Sequence, residues 1–169
     1  MTVEHRRRLL ISRRRGRNSV AEHLVAGEPT SAGNTAIRLF GSDSPPQLPV
    51  ADLDLAGQSI IPPVTGVRVA IVIFGSPADR ASSGAVSAPA ELAQIMDSEG
   101  THQTDSVDVG VVVSGRVTLR VPGQPDVVLE PGDTFVQAGA PHSWHNESGS
   151  PCVVVMTMIG AHPDRTNGV

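Results

Sequence analysis

The sequence predicts an all-β fold, either a sandwich or a barrel, built from many short strands. From residue 20 onward, short apolar runs alternate with Gly, Pro, Ser and Asp, which is typical of strands separated by turns. The runs recur about every ten residues, the spacing expected of sandwiches and barrels. The 169 residues are 39% hydrophobic but only 2% aromatic. We therefore expect one main domain with an aliphatic core.

The apolar runs predict ten strands in chain order. The run 66–75 is apolar apart from Arg68, which indicates a central strand. The pair Ser114-Gly115 precedes the next apolar run and predicts a tight hairpin turn. The predicted strands are 23–26, 35–40, 57–61, 66–74, 107–113, 116–121, 126–129, 134–137, 142–146 and 152–159.

A long connection between strands is predicted over residues 76–100, which are rich in Ala, Ser, Pro and Gly. It contains a short helix at 88–96, where Pro89 suits the first turn. A connection of this length in a compact domain is either a functional lid or dimer contact, or a surface loop. Residues 41–56, with three prolines, form a second extended linker.

The charge of the chain is distributed unevenly. Residues 1–17 hold seven arginines and one acidic residue, a net charge of +6, whereas the remaining six arginines and sixteen acids give −10. We expect residues 1–19 to be a basic, disordered arm in solvent, with binding to an anionic surface as the alternative. The single domain then spans 20–162, and 163–169 form a tail.

Several classes of protein are disfavoured by composition. Cys152 is the single cysteine, so the chain has neither an intrachain disulfide nor a cysteine-based zinc cluster, as expected of a cytoplasmic protein. Its position before an apolar run indicates a buried, inert thiol. No apolar run approaches the roughly 18 residues that cross a membrane. With few aromatic rings and no helix-turn-helix pattern, we expect no nucleic-acid partner.

The stretch 132–146, GDTFVQAGAPHSWHN, is the most informative in the chain. Gly132, Gly139, His142 and Asn146 follow a spacing that resembles the second motif of the cupin superfamily, written G(x)5PxG(x)2H(x)3N. Here Gln137 stands where the motif has proline, and one residue is missing between the glycines. The resemblance implies that His142 points into a small β-barrel and binds a metal ion.

A second stretch, 101–115, resembles a degenerate form of the first cupin motif, G(x)5HxH(x)3–4E(x)6G. His102 takes the position of the first histidine, Thr104 that of the second, and Asp108 that of the glutamate, seven residues before Gly115. With both motifs in order, the chain resembles a small single-domain bacterial cupin. The resemblance implies a cupin-type jelly-roll β-barrel, a double-stranded β-helix, with a short helical or loop insertion.

The resemblance implies a site built from His102, Asp108 and His142. Two imidazoles and a carboxylate suit the facial triad of Fe(II), and Zn, Mn or Ni could use the same ligands. Strand alternation puts residues of equal parity on one face, so we expect further pocket residues beside the three. These are Thr104, Trp144, Asn146 and Met156. His145 has the opposite parity to His142 and is expected outside the barrel.

Three functions remain open from the sequence. The first is a metal-dependent enzyme acting on a small organic molecule, of the oxygenase or the lyase, isomerase or dehydratase type. The second is a non-enzymatic small-molecule-binding cupin whose metal site has decayed, so that no metal is bound. The third is a metal-free enzyme in which His102, His142 and Asp108 supply acid and base. Exposed edge strands need a cover, and a homodimer is the expected assembly.

Overall fold

A computed structural model describes residues 5–31, 33–50, 53, 55–84 and 88–163, and the predicted all-β class is confirmed. Strands dominate, and two short helices, α1 (Pro77–Ser82) and α2 (Ala90–Ala93), lie between the fifth and sixth strands. The strands are β1 (His5–Arg14), β2 (Arg17–Ala26), β3 (Glu28–Ser31), β4 (Asn34–Ser42), β5 (Val67–Phe74), β6 (Ser106–Ser114), β7 (Val117–Arg120), β8 (Val127–Leu129), β9 (Thr134–Ala138), β10 (Ser143–His145) and β11 (Cys152–Gly160).

The barrel consists of two antiparallel sheets. The larger has the order β3-β4-β5-β11-β6-β9, and the smaller has the order β10-β7-β8. In the larger sheet, Met158 of β11 lies opposite Arg68 of β5 on one side and Asp108 of β6 on the other. Alternation along these strands sends their even-numbered residues to the interior. The apolar run 66–75 therefore becomes a central strand, as predicted.

The N-terminal segment corrects an expectation, because residues 5–26 form a two-stranded hairpin of β1 and β2 instead of a disordered arm up to residue 19. The two strands are joined by Arg15 and Gly16, whose φ angles are 49° and 77°. Two positive φ angles are those of a type I′ turn, which matches the twist of a hairpin. Residues 1–4 of the predicted arm and 164–169 of the predicted tail lie outside the described residues.

One face of this hairpin packs on the barrel. Arg8 donates from its guanidinium to the carbonyl oxygens of Leu39 (3.1 Å) and Leu53 (3.2 Å). The opposite face is exposed and carries apolar side chains that come together across the two strands. They are Leu9, Ile11, Val20 and Leu24.

The predicted strand at 57–61 is wrong, because this segment forms turns and bends. Side chains satisfy its backbone groups in place of a neighbouring strand. Ile60 N donates to Glu91 Oε1 (2.7 Å), and the Ser59 carbonyl accepts from Arg68 Nε (2.7 Å). Pro62 and Pro63 follow directly and lack the N–H that a strand would need.

The connection 76–100 contains both helices. A capping box at Ser76 and Asp79 starts α1: the Ser76 hydroxyl accepts from Asp79 N (3.2 Å), and Asp79 Oδ2 accepts from Ser76 N (2.8 Å). The helix predicted at 88–96 is shortened to Ala90–Ala93, with Pro89 at its start. No helix among the described residues is long and apolar enough to span a membrane.

The packed core occupies one half of the barrel interior, and an aromatic layer closes it off. The Trp144 ring centroid lies 5.7 Å from that of Phe74 and 4.9 Å from that of Phe135. Gly110 makes room for this layer, because a methyl group there would overlap the Phe135 ring. Burial also raises the pKa of the Cys152 thiol to about 11, as expected of an inert core cysteine. The core residues are Phe74, Val112, Val117, Leu129, Cys152, Val154 and Met156.

Candidate functional site

The other half of the barrel interior is a cavity of about 220 Å³. Its wall comes from β3, β4, β5, β6, β10 and β11, and from the connection that carries α2. Most lining side chains are apolar, and Trp144, Phe74, Met156 and Met158 are the largest of them on the strands. The polar lining residues are Thr30, Ser31, Asn34, Arg38, Arg68, His102, Thr104 and Asp108.

Five of the residues predicted from the motifs line this cavity. They are His102, Thr104, Asp108, Trp144 and Met156. His142 and Asn146 are both almost completely buried, at 2% and 1% exposure, but they lie outside the residues that line the cavity.

His102 and His142 are brought together by the backbone. Each N–H donates to the carbonyl of the other residue, at 2.9 and 3.0 Å, and the two form an isolated antiparallel bridge. Side chains of directly opposed residues in such a bridge point to the same side. The imidazole centroids are therefore only 4.6 Å apart. The first and second motifs thus meet at this bridge.

Both imidazoles are oriented by the same local contact. His102 Nδ1 lies 3.0 Å from the carbonyl oxygen of Gly100, and His142 Nδ1 lies 2.9 Å from that of Ala140. A carbonyl oxygen only accepts, so these two contacts favour the tautomer in which Nδ1 carries the proton. In the neutral ring, Nε2 then holds a free lone pair. Both histidines are thereby prepared as bases or ligands through Nε2.

A chain of hydroxyl groups leads to Asp108. Thr104 Oγ1 lies 2.8 Å from Ser106 Oγ, which donates to Asp108 Oδ1 at 2.7 Å. Burial raises the pKa of Asp108, and the Ser106 hydrogen bond and the nearby His102 oppose this rise. A buried carboxylate needs a hydrogen-bond partner, and the Ser106 hydroxyl group supplies it here.

His142 is more deeply enclosed than His102. Burial lowers the pKa of His142, the hydrogen bond to Ala140 raises it, and the nearby His102 lowers it further. Gln137 supports the same loop, since its Nε2 donates to the Ala140 carbonyl (2.6 Å) and lies 3.0 Å from His142 Nδ1. His142 is consequently held in its neutral form over a wider pH range than a free imidazole.

Asn146 has a structural role in place of the predicted pocket role. Its side-chain nitrogen donates to the carbonyls of Phe74 and Ser150, both at 2.8 Å, and its oxygen accepts from Ser148. It therefore ties the loop after β10 to the end of β5. The parity argument fails at this position because β10 ends at His145, so strand alternation no longer applies.

The three side chains expected to form a metal triad are not arranged as one. In the described ranges, no group of three His, Cys, Asp or Glu side chains is placed so that it could hold a metal ion. His142 lies outside the cavity wall, and Asp108 Oδ1 takes the Ser106 hydroxyl. The residue types suit a metal, but this placement of the three does not assemble a site for it.

Two residues near the site were not singled out from the sequence. Ser106 connects Thr104 to Asp108, and its parity with these two was the available signal. Arg38 lines the cavity from β4, and it lies 64 positions before His102 in the chain. Its place in the wall depends on strand pairing across the sheet, which no local pattern indicates.

Part of the chain matches a known protein family. Residues 94–158 match the family model Cupin_2, described as a cupin domain, and this range covers both motifs. The all-β class predicted from the sequence is thus confirmed, and residues 94–158 are similar to a cupin domain.

Similar proteins of known sequence share only a short segment. Over 47 residues the chain is 43% identical to the oryzines biosynthesis cluster protein J of Aspergillus oryzae, a match covering 28% of this chain and 26% of that protein. It is 40% identical over 47 residues to the phomopsin biosynthesis cluster protein D of Diaporthe leptostromiformis, covering 28% and 25%. The match thus spans about a quarter of the length of these curated relatives.

Two solved structures resemble the chain at low identity and low TM-score. The polyketide cyclase RemF from Streptomyces resistomycificus has a TM-score of 0.48 and 14% identity, with 82% of this chain and 76% of that chain covered. KdgF from Halomonas sp. has a TM-score of 0.44 and 14% identity, covering 85% and 92%. At these values the likeness carries no argument about activity.

Proposed function

We propose that this cupin domain protein is an enzyme that binds a small, partly apolar organic molecule in the barrel cavity. The reaction takes place at the polar corner, which we define as His102, Thr104 and Asp108. The observation that carries this proposal is the cavity itself, in which an apolar wall meets these three convergent polar side chains. Largely apolar cavities with a few placed polar groups are typical of small-molecule sites.

The size of the cavity supports a small ligand. Its volume of about 220 Å³ is below the range of about 300–1,000 Å³ found for drug-sized ligands. The large flexible side chains Met156 and Met158 adapt readily to ligands of different shape. We therefore expect a molecule of a few carbon atoms with at least one polar group.

The polar corner supports acid–base chemistry without any added group. His102 is oriented by Gly100 so that its Nε2 lone pair is free to take a proton. Burial raises the pKa of Asp108, and in its protonated form a buried carboxyl group can donate a hydrogen bond. Together they can remove a proton from the bound molecule and stabilise the oxygen on which negative charge develops.

Binding and turnover of a panel of small carboxylic acids and ketones would test this proposal. Binding is measured by thermal stabilisation, and turnover by NMR of the mixture. We expect His102→Ala and Asp108→Asn to lose turnover by about 10²–10⁴-fold, whereas His145→Ala outside the cavity stays active. Binding that persists with no conversion of any compound would support the non-enzymatic cupin instead.

A metal-dependent enzyme is the second candidate, and the two fixed histidines favour it. Both Nδ1 atoms are occupied by carbonyl contacts, which leaves Nε2 of His102 and of His142 as possible ligands. Fe(II), Zn, Mn or Ni would supply Lewis-acid or redox chemistry. Metal analysis of protein purified anaerobically without a tag or chelator, beside His142→Ala, tests it. About one metal per chain, lost in the variant, would support this candidate.

A homodimer remains our proposal for the assembly. The exposed apolar face of the β1–β2 hairpin is suited to such a contact, and the basic N-terminal segment is complementary in charge to the acidic remainder of a second copy. Light scattering after size-exclusion chromatography tests it. We expect a dimer that becomes a monomer in Ile11→Ser/Leu24→Ser and stays a dimer in Val127→Ser, another exposed apolar position.

A further inference from the structure

Two arginines lie in the wall of the barrel cavity, and they differ in how they are bonded. Arg68 uses all three nitrogens of its guanidinium. Nε donates to Ser59 O (2.7 Å), one terminal nitrogen donates to the carbonyls of Ser42 and Val67 (both 3.0 Å), and the other pairs with Asp43. Arg68 is thus fully occupied by the protein.

Arg38 is occupied at its terminal nitrogens alone. One donates to the carbonyls of Leu55 and Gln58, both at 2.9 Å, and the other pairs with Glu28 at 2.7 Å. The remaining donor, Nε, is buried and has no hydrogen-bond partner within the described part of the chain. The side chain as a whole is 14% exposed. Leaving a buried N–H of a charged group without an acceptor is unfavourable. A ligand atom that accepts from Arg38 Nε would therefore be stabilised.

We propose that Arg38 forms a carboxylate-binding subsite in the cavity, so that the small molecule bound there is an apolar carboxylic acid. This inference rests on the proposed function. The carboxylate accepts from Arg38 Nε, which is the one buried unpartnered atom, among those found in the described residues, that belongs to a cavity-lining residue. Guanidinium and carboxylate form strong, charge-assisted hydrogen bonds.

The sheet separates this subsite from the polar corner. Arg38 of β4 lies opposite Ala70 of β5, which in turn lies opposite Met156 of β11. Asp108 is on β6, the next strand after β11. The three strand spacings from β4 to β6 amount to roughly 14 Å along the sheet. The distance between the Arg38 and Asp108 side chains is shorter, because both point inward and the sheet is curved. The ligand therefore carries an apolar segment, over Ala70 and Met156, between its carboxylate and its reacting end.

Glu28 sets the strength of the subsite. Its carboxylate neutralises Arg38 from a position where its own side chain is 53% exposed. Replacement of Glu28 by glutamine leaves the exposed shape unchanged but removes the competing negative charge. The two partners of this ion pair thus give variants with opposite expected effects on the same ligand.

Calorimetric titration with hexanoate, and with hexanamide as its uncharged match, tests the inference. We expect the wild type to prefer hexanoate, and Arg38→Met to weaken hexanoate by about ten- to a hundredfold while leaving hexanamide nearly unchanged. Glu28→Gln should bind hexanoate several-fold more tightly, and it remains informative if Arg38→Met fails to fold. Arg116→Gln, at an exposed ion pair with Glu130, is the control for general charge and should match the wild type.

The outcomes separate the inference from the proposed function. Equal affinity for hexanoate and hexanamide, unchanged in Glu28→Gln, would overturn the carboxylate subsite and leave the cavity as a ligand site. Failure of both probes to bind, and of the straight-chain acids from butyrate to octanoate, would overturn both. If the carboxylate subsite exists, acetate should bind more weakly than the longer acids, because it is too short to reach across Met156.

Discussion

The two halves of the barrel interior are built from the same strands but filled in different ways. Along β11, Cys152 and Val154 are fully buried in the packed core, Met156 belongs both to the core and to the cavity wall, and Met158 lines the cavity. Along β6, Val112 belongs to the core, and Asp108 faces the cavity. The difference teaches that one strand can supply stability at one end and chemistry at the other. Substitutions in the two halves should consequently change different properties.

The largest expected effect is at the aromatic layer between the packed half and the cavity. Phe74→Ala removes a ring that is buried and stacked on Trp144, and should lower the free energy of unfolding by about 3–5 kcal/mol. Urea denaturation followed by circular dichroism measures it. A loss below about 1 kcal/mol would mean that the aromatic layer is not packed as described.

The next effect concerns the loop between β10 and β11. Asn146→Ala leaves the buried carbonyl of Phe74 without its donor, and should cost about 1–3 kcal/mol of unfolding free energy. Because Asn146 lies outside the cavity wall, hexanoate binding by the folded variant should stay within about twofold of the wild type. A large change in affinity at unchanged stability would instead place Asn146 at the ligand, as the motif had predicted.

A smaller effect on stability is expected in the cavity half. Met158→Leu conserves volume and should change the free energy of unfolding by less than about 1.5 kcal/mol. Since Met158 lies between Arg68 and Asp108 in the wall, the preference for ligand chain length should nevertheless shift. Thermal denaturation and the acid series from butyrate to octanoate measure the two quantities on one sample. A change in stability alone would remove Met158 from the ligand contact.

The smallest expected effect is a change in the pH dependence of stability. Burial raises the pKa of Asp108 above its ordinary value of 3.8, so its contribution is complete below about pH 3.8 and is lost as the pH rises through the folded-state pKa. Asparagine does not titrate, so the free energy of unfolding of Asp108→Asn should not show this decrease. Relative to the wild type, the variant should therefore become more stable as the pH rises from acid to neutral. Asp126→Asn, at an exposed ion pair with Arg120, is the matched control. Parallel curves for wild type and Asp108→Asn would contradict the raised pKa.

Much of the fold followed from local patterns, and the misses have physical causes. The strand at 66–75 and the turn at Ser114-Gly115 were predicted correctly, because an apolar run and a turn glycine act on the backbone locally. The strand expected at 57–61 failed, because side chains from Glu91 and Arg68 took its backbone partners. The hairpin at 5–26 was missed because an arginine occupies a left-handed position in its turn.

The candidate site was predictable in part. His102 and Asp108 could be placed from motif spacing, and they do line the cavity. Arg38 could not, since it reaches the site through the pairing of β4 with β5. Such pairing depends on the register of distant strands, and no window of sequence around Arg38 contains it.

The glycine at position 110 gives the barrel a simple means of changing which molecules it accepts. Its missing methyl group leaves room for the Phe135 ring, which packs beside Trp144. An alanine at position 110 would overlap that ring and disturb its contact with Trp144, which lines the cavity, and a smaller residue at 135 would restore the room. Two neighbouring positions on paired strands therefore form a compensating pair. Descendants of this scaffold could exchange a short ligand for a long one by changing them together.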